Sequence, residues 1–407
     1  MKDFSSDRRL SVLFLPRWYP HRYDPMMGLF IERHGLSVLP HADVSVLYVH
    51  ADDKLSSKSI AIEVSEEGLY TVRVYFKKSS IRPQFLANLI NLYRFFLSHY
   101  KGWKLIRKSR PKPDLLHVHV LTRCGIVALI CKILTGTPYV ITEHWTRYLP
   151  TTDTYNGALR KWLTGLVVKY AGAVMPVTAN LRDAMIANGL KNNNYQVIPN
   201  VVDVKKFQPK NKVVFNEKKS LVHLSCFTDK QKNISGILRV IKKLSEKRDD
   251  FKLKLIGDGE DFAAMKAISD QLALTGRYVE FTGLKENEEL VDLLSQADLM
   301  IMFSNYENLP VVILESYACG VPVISTRVGG IHEHMNDNLG KLVEMKNERQ
   351  FLKALENFLE DPGLYRSDKI RKYAVDHFSN EVIGHSIYRV YSDVVRHRKN
   401  HIFQSKT

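Results

Sequence analysis

The chain has 407 residues, of which 45% are hydrophobic and 25% charged, with a net charge of +16. This ordinary globular composition excludes a disordered or fibrous protein. No apolar run approaches the ~18 residues of a membrane-spanning helix, and the short apolar stretch after the charged start does not fit a signal peptide. We therefore expect a cytoplasmic protein. At ~150 residues per domain, its length predicts two or three domains. Its four cysteines have no metal-ligand spacing and are expected to be reduced.

The positive charge is concentrated in the first half of the chain. Residues 1–205 contain 28 Lys and Arg against 15 Asp and Glu, whereas residues 206–407 contain 31 against 28. Between Gly68 and Pro113 there are eleven basic residues, all within 73–112, and no acidic residue. Such a one-sided basic block indicates an anionic partner, either membrane lipid, nucleic acid or a phosphorylated substrate.

Strand-like apolar runs alternate with helical patterns along the chain, which is typical of parallel α/β architecture. The runs of the first half are Val12–Pro16, Val44–Val49, Leu115–Val120, Tyr139–Thr142, Ala173–Thr178 and Val197–Pro199. Those of the second half are Leu221–Ser225, Phe251–Ile256, Val279–Thr282, Leu299–Phe303, Val321–Thr326 and Lys341–Val343. The polar segment Asp203–Lys219 between them is predicted to be an interdomain linker. We expect two Rossmann-like domains that bind ligands at the carboxyl ends of their strands.

Residues 84–108 have the periodicity of a helix. The apolar positions are Phe85, Leu89, Leu92, Phe96 and Tyr100, and the basic positions between and after them are Arg94, Lys101, Lys104, Arg107 and Lys108. One interpretation is a helix that packs on the core and has a solvated basic edge. The other is an interfacial helix on anionic lipid, where each base adds ~1 kcal/mol to binding. The two interpretations are compatible.

His117 and His119 are two residues apart on a predicted strand, so their side chains face the same side. They could share a metal ion, but no Cys, His or carboxylate at matching spacing completes a zinc site. We favour His119 and His144 as cleft residues and His117 as a hydrogen-bonded strand residue. No metal site is predicted.

The most informative segment follows the strand at Leu299–Phe303 and contains Glu307 and Glu315. Pro310 suits the first turn of a helix, so a helix is predicted to start near Leu309, with Glu307 before it and Glu315 inside it. The free N–H groups of a first helical turn bind anions. Two carboxylates beside such a site suit a ligand with hydroxyls and phosphates, such as a sugar nucleotide. The alternative is a surface glutamate and a structural glutamate at an ordinary helix start.

The motifs together resemble the group 1 glycosyltransferases, glycosyltransferase family four, which have the GT-B fold. In the second half the matching motifs are Glu307 with Glu315, Gly320-Val321-Pro322-Val323, Gly329-Gly330 with Glu333, Gly257-Asp258-Gly259, Phe281-Thr282-Gly283 and Lys232-Asn233. In the first half they are Gly28-Leu29-Phe30, residues 114–119, Thr142-Glu143-His144 and residues 198–203. The resemblance runs from about Val12 to the C-terminus. It implies an acceptor-binding domain (1–205), a donor-binding domain (206–375) across a cleft, and a C-terminal helical segment (376–407) that packs back on the first domain.

The resemblance also implies roles for individual residues. Lys232 would neutralise the donor diphosphate, Glu315 would bind the ribose and Glu307 would contact hydroxyls of the transferred sugar. His119 would lie near the anomeric carbon, which makes His119, Lys232 and Glu307 the expected catalytic residues. The other expected donor contacts are Gly28, Asn308, Leu309, Pro310 and Val311.

The chain departs from the family pattern at one position. The family usually has an arginine shortly before the lysine, as a second cation for the diphosphate, but residues 224–232 contain none. Lys230 and Arg327 are the candidates to replace it. Gly283 and His144 are further supporting candidates, and His144 is expected to shape the acceptor cleft rather than to act as a base.

The implied activity is the transfer of a sugar, with retention of configuration, from a nucleoside diphosphate to a hydroxyl of a glycan or lipid-linked acceptor. We expect it to serve cell-surface polysaccharide or glycolipid synthesis, peripherally on the inner face of the membrane. No cofactor, metal or nucleic acid is expected to take part. One alternative is a nucleotide-sugar epimerase of the same fold. The alternative from another class is a basic nucleic-acid-binding protein, although no recognised RNA or DNA module is present.

Overall fold

The computed structural model describes residues 8–55, 60–121, 123–152, 154–210 and 218–404, with side chains as far as residue 398. Residues 211–217 of the predicted linker Asp203–Lys219, and residues 1–7 of the charged start, lie outside these ranges. Within the described ranges the strands form two sheets, of seven and six strands.

The first sheet lies in the first half of the chain. Its strands are β1 (Leu10–Pro16), β2 (Ala42–Asp52), β3 (Ile60–Ser65), β4 (Tyr70–Lys77), β5 (Leu115–His119), β6 (Tyr139–Glu143) and β7 (Ala173–Pro176). The helices are α1 (Leu29–Val38), α2 (Gln84–Ser109), α3 (Arg123–Thr135), α4 (Ala158–Tyr170) and α5 (Ala179–Ala187), with a 3-10 turn at Thr146–Tyr148. The strand order is β3-β4-β2-β1-β5-β6-β7, and only the β3–β4 pair is antiparallel.

The second sheet is parallel throughout. Its strands are β8 (Lys219–Leu224), β9 (Phe251–Ile256), β10 (Val279–Gly283), β11 (Leu299–Met302), β12 (Val323–Thr326) and β13 (Gly340–Val343), in the order β10-β9-β8-β11-β12-β13. The helices are α6 (Asp229–Lys232), α7 (Ile234–Ser245), α8 (Phe262–Gln271), α9 (Asn287–Ser295), α10 (Val311–Ala318), α11 (Glu348–Glu360), α12 (Ser367–Phe378) and α13 (Asn380–Gln404). Short 3-10 turns lie at Ile331–His334 and Pro362–Leu364. The two Rossmann-like sheets confirm the predicted fold class.

The strand order reverses once in each sheet. In the first sheet β1 lies between β2 and β5, and in the second β8 lies between β9 and β11. Open α/β sheets bind ligands outside the carboxyl ends of the strands at such a switch point. The loops after β1, β5, β8 and β11 are therefore the places where a ligand site is expected.

The first half differs from the predicted strands in two places. Strands β3 and β4 were not predicted, and in β4 the basic residues Arg73 and Lys77 interrupt the apolar pattern. In the fold Lys77 is exposed, and the Arg73 side chain extends to donate a hydrogen bond to the Pro20 carbonyl at 2.7 Å. The predicted run Val197–Pro199 is not a strand. Gln196 and Ile198 donate hydrogen bonds to β7, but the ladder is incomplete because Pro176 of β7 has no N–H group to donate in return.

Helix α2 packs on the sheet through a different face from the apolar positions of its sequence. The buried residues include Ala87, Phe95 and Gly102, whereas Phe85 and Tyr100 are 62% and 57% exposed. A side chain at Gly102 would collide with Leu47 of β2, so the sheet accepts only the narrow face of the helix. The apolar residues at the start of α2 are therefore solvent-exposed. No helix in the described ranges is long and apolar enough to cross a membrane.

The last helix returns to the first domain, as predicted. Helix α12 packs on α10 beside the second sheet, whereas α13 packs along α1 beside the first. The crossing lies at Ser379, between the two helices. Tyr391 of α13 is fully buried, and its hydroxyl lies 2.6 Å from Nδ1 of His117 in β5.

The contact between α13 and α1 can be tested with two glycines. A Cβ on Gly384 would collide with the Ser37 carbonyl oxygen of α1, whereas the space around Gly165 in α4 is open. We expect Gly384→Ala to lower the free energy of unfolding by roughly 1–3 kcal/mol through overpacking. Gly165→Ala should raise it by up to about 1 kcal/mol through helix propensity. Urea unfolding measures both, and equal effects would contradict the packing of α13 on α1.

Candidate functional site

A buried ion pair lies at the switch point of the second sheet. Lys232 ends the short helix α6, where Asn233 adopts left-handed backbone with φ 52°, a conformation that asparagine tolerates. The Lys232 ammonium lies 2.6 Å from Oε1 of Glu307, and the side chains of Lys232 and Glu307 are only 11% and 7% exposed. Burial alone would lower the pKa of Lys232, but the Glu307 carboxylate outweighs it and the pKa is raised. Lys232, which is predicted to bind the diphosphate, and Glu307, which is predicted to bind the transferred sugar, are therefore in direct contact with each other.

The second predicted glutamate is paired across the cleft. Pro310 caps α10, which begins at Val311, and Glu315 lies one turn into this helix with 4% exposure. The Arg33 guanidinium of α1 donates to Oε1 of Glu315 at 2.7 Å. The carboxylate expected to bind ribose thus joins the second domain to the first.

The loop between the two glutamates is also tied to the first domain. Thr178 donates its hydroxyl hydrogen to Oδ1 of Asn308 at 2.8 Å, and Nδ2 of Asn308 donates to the His144 carbonyl at 3.0 Å. Nδ2 of Asn200 donates to the Leu309 carbonyl at 2.9 Å. These contacts position the predicted donor-binding backbone against the predicted acceptor domain.

The predicted glycines allow close approach between loops of the protein. Gly28 caps α1 with φ +69°, and a Cβ there would collide with the backbone of Trp18. A Cβ on Gly330 would collide with Thr178 across the domain boundary. Gly283, with φ +71°, has open space around its Cβ position. Gly28 and Gly330 are thus required by chain packing, and a ligand contact at Gly28 stays a prediction.

The predicted cleft histidine His119 belongs to a cluster of neutral imidazoles. Its Nδ1 lies 3.4 Å from Nε2 of His144, whose Nδ1 lies 3.2 Å from Oδ1 of Asn200. Burial, and then neighbouring imidazoles, hold the pKa of His119 and of His144 well below the ordinary value. His117 contacts the Tyr391 hydroxyl and the Thr142 hydroxyl, which confirms it as a hydrogen-bonded strand residue.

The histidines that could hold a metal ion differ from the pair considered in the sequence. His34, His119 and His144 are buried, and one nitrogen of each lies within 4.8 Å of the others. Neutral imidazoles are suitable zinc ligands. The prediction of a metal-independent enzyme stays a prediction.

The two candidates for the missing arginine lie on the surface. Lys230 is exposed, and Arg327 is 51% exposed with its Nε 3.5 Å from the Glu344 carboxylate. Their roles stay predictions.

Sequence reasoning missed the side chains that reach the site from the first domain, namely Arg33, Thr178 and Asn200. Their partners are more than 100 residues away in the chain, so no local spacing indicates them. The role of Glu333 was also missed. Its carboxylate accepts hydrogen bonds at 2.7 Å from the N–H groups of Ala179 and Asn180, and so caps α5 from the other domain.

Two Rossmann-like domains that face each other across a cleft are the architecture of the GT-B class. The family model for "Glycosyl transferases group 1" matches residues 204–376, and the model for "Glycosyltransferase Family 4" matches residues 43–206. The chain belongs to the group 1 glycosyltransferases, and it is therefore a sugar-transferring enzyme.

Two named relatives are similar to the chain in sequence, and a solved structure is similar to it in fold. The chain is 27% identical to the N-acetyl-alpha-D-glucosaminyl L-malate synthase of Bacillus anthracis, over 84% of this chain and 93% of that protein. It is 24% identical to the putative teichuronic acid biosynthesis glycosyltransferase TuaC of Bacillus subtilis, over 70% and 75%. Anabaena HepE, solved in complex with UDP, has the same fold, with a TM-score of 0.71, 17% identity and coverage of 94% of this chain and 100% of that chain.

The buried histidines predict a loss of stability in acid. Burial lowers the pKa of His34 from 6.5 to about 4. Between these values the unfolded chain binds a proton that the folded protein does not, so the free energy of unfolding falls as the pH falls through this window. As the pH falls through this window, we expect the free energy of unfolding of His34→Leu to decrease by about 1.4 kcal/mol less per pH unit than that of the wild type.

Urea unfolding between about pH 7.5 and about pH 4.5, around the ordinary titration range of histidine, measures this difference. His385→Leu, which removes an exposed imidazole from α13, is the control. Identical pH slopes for the wild type and His34→Leu would show that the His34 ring is not held neutral in the fold.

Proposed function

We propose that the chain transfers a sugar, with retention of configuration, from a nucleoside diphosphate to a hydroxyl of a glycan or lipid-linked acceptor. The observation that carries the proposal is the buried contact between Lys232 and Glu307 at the switch point of the second sheet. A lysine acts as a point charge on phosphate, and a carboxylate accepts hydrogen bonds from sugar hydroxyls. The two groups lie where an open α/β sheet binds a nucleotide.

The donor would lie against residues 206–375 and the acceptor against residues 1–205. The complex of HepE with UDP supports a nucleoside diphosphate as the donor. Lys232 and the N–H groups at the start of α10 would bind the diphosphate, Glu315 the ribose and Glu307 the sugar. Because Arg33 already occupies Glu315, ribose binding would replace an interdomain ion pair by hydroxyl hydrogen bonds.

Transfer would depend on stabilising the leaving diphosphate. In the closed site the fixed charge of Lys232 meets the charge that develops on the leaving phosphate, which is the most effective place for electrostatic catalysis. The leaving phosphate oxygen would take the proton of the attacking hydroxyl from the same face of the sugar. His119, which is neutral and buried, would line the anomeric region without acting as a nucleophile.

A role in bacterial cell-surface glycan synthesis is favoured by the relatives, since TuaC is named for teichuronic acid biosynthesis. The family assignment favours transfer over the epimerase alternative. A nucleic-acid partner would require salt-dependent binding of RNA or DNA without binding of a nucleotide sugar.

An anionic membrane surface is the proposed site of action. The exposed apolar residues of α2 include Phe85, Leu89 and Tyr93, at 62%, 57% and 67%. Exposed bases, among them Lys101 and Lys104, follow on the same helix. Apolar side chains that insert and bases that attract anionic headgroups are the two parts of an interfacial helix. The corrected packing of α2 thus favours the interfacial interpretation, since its apolar residues are available to lipid.

The donor site can be tested at Lys232. We expect Lys232→Ala to weaken nucleoside diphosphate binding by ~1.5–3 kcal/mol, the scale of a hydrogen bond to a charged group. It should also lower the unfolding midpoint, because Glu307 loses the cation that compensates its burial. Lys266→Ala, which removes an exposed charge from α8, should change neither quantity. Unchanged donor affinity of Lys232→Ala in calorimetry would remove Lys232 from the site.

The membrane surface can be tested with vesicles. Sedimentation with anionic vesicles should show binding that falls as salt rises, because screening shortens the reach of each charge. Neutralising Arg94, Lys101, Lys104, Arg107 and Lys108 together should reduce it, as should Phe85→Ser with Leu89→Ser. The matched control neutralises five exposed bases of the second half: Lys266, Lys346, Arg349, Lys353 and Lys369. Equal, negligible binding to neutral and anionic vesicles would contradict the membrane proposal.

A further inference from the structure

Two arginines of the first domain stack on one tryptophan beside the cleft. The guanidinium carbon of Arg147 lies 3.6 Å from the ring centroid of Trp145, and that of Arg17 lies 4.4 Å from it. Trp18 packs edge-on against the same ring, with centroids 5.2 Å apart. Cation–π contacts of this kind hold the two guanidinium groups at the ring, and their N–H groups can still bind a planar anion.

Within the described ranges, neither guanidinium is in an ion pair, although the charge of Glu143 acts on both from a longer distance. No ion pair or side-chain hydrogen bond of Arg17 or Arg147 is found there, and the Nε of Arg147 is buried without a hydrogen-bond partner. Burial lowers the pKa of both arginines, and the charge of Arg147 lowers that of Arg17 further. Two cations held at one ring repel each other, and an anion bound beside them would relieve that repulsion.

The nearby carboxylate does not supply this anion. Glu143 is fully buried and accepts hydrogen bonds from the backbone N–H groups of Leu121, His144 and Trp145 at 2.8–2.9 Å. Burial raises its pKa to about 7, despite these three donors. Its oxygens are used by the backbone, and it forms no ion pair with either arginine.

The arginine pair lies at the switch point of the first sheet. Arg17 directly follows β1, and its N–H donates to the carbonyl of His119 at the end of β5 at 3.1 Å. Arg147 lies in the turn after β6. The backbone of Arg17 therefore lies next to the proposed anomeric region, and both arginines follow the carboxyl ends of strands on the acceptor side of the cleft.

We infer that Arg17, Arg147 and Trp145 form a subsite for an anionic group, a carboxylate or a phosphate, carried by the acceptor. This inference rests on the proposed function and specifies its acceptor as an acidic molecule. A guanidinium pair binds the planar oxygens of either group through parallel hydrogen bonds, which a neutral sugar cannot replace. The anionic group would anchor the acceptor while its hydroxyl faces the donor sugar.

Three sugars of similar size test the subsite. Glucose, glucuronate and glucose 1-phosphate are titrated into the full-length protein, with binding followed by NMR or calorimetry. We expect at least one of the two anionic sugars to bind about tenfold or more tightly than glucose, on the scale of a charged hydrogen bond. The tighter of the two anions identifies a carboxylate or a phosphate as the preferred group.

Matched variants locate the effect. Arg17→Gln and Arg147→Gln should each lose most of the preference for the anion, whereas Arg389→Gln, at an exposed position of α13, should keep it. Circular dichroism checks that each variant folds. If Arg17→Gln does not fold, Arg147→Gln is the variant that tests the subsite. Equal binding of glucose and both anions by the wild type would overturn the inference, as would a preference that survives both substitutions.

A parallel titration with nucleoside diphosphates separates the two proposals. Nucleotide binding that persists in the wild type and in Arg17→Gln, without any preference for anionic sugars, would overturn the subsite alone. Failure of the wild type to bind any nucleoside diphosphate would overturn the proposed function itself.

Discussion

A carboxylate removed from water requires a cation or several N–H donors, and this constraint organises the cleft. Glu307 is compensated by Lys232 and Glu315 by Arg33, while Glu143 and Glu333 are compensated by backbone N–H groups. The bonds of Glu315 and Glu333 cross from one domain to the other. Glu315, which would contact a donor, thus also holds the two domains together.

This arrangement has a consequence for ligand binding. Hydroxyls and phosphates of a donor would compete with contacts that the protein already makes, so part of the binding free energy would be used to replace them. The replacement at Glu315 would also release Arg33 of α1 from the second domain. Donor binding and domain position would in that case be coupled, because a ligand shifts a conformational equilibrium by its differential affinity for the two states.

The sequence predicted the parts of the protein that depend on local patterns. Alternating strands and helices indicated two parallel sheets, and the spacing of Glu307 and Glu315 indicated the loop that lies at the switch point of the second sheet. It could not indicate Arg33, Thr178 or Asn200, because their contacts are created by the way the domains face each other. The packing of α2 was missed for a related reason. Helical periodicity identifies a stripe of apolar residues along α2, but the space available beside Leu47 decides which face of the helix is buried.

The most direct test of the account is a thermal-shift panel of nucleoside diphosphates and the corresponding nucleotide sugars with the unmodified protein. A ligand that binds only the folded state raises the unfolding midpoint as its concentration exceeds its dissociation constant. The account predicts that at least one nucleoside diphosphate, and a nucleotide sugar that contains it, raise the midpoint. It also predicts that this nucleotide sugar is consumed when a suitable acceptor is present. A midpoint that no nucleoside diphosphate or nucleotide sugar changes would contradict the account.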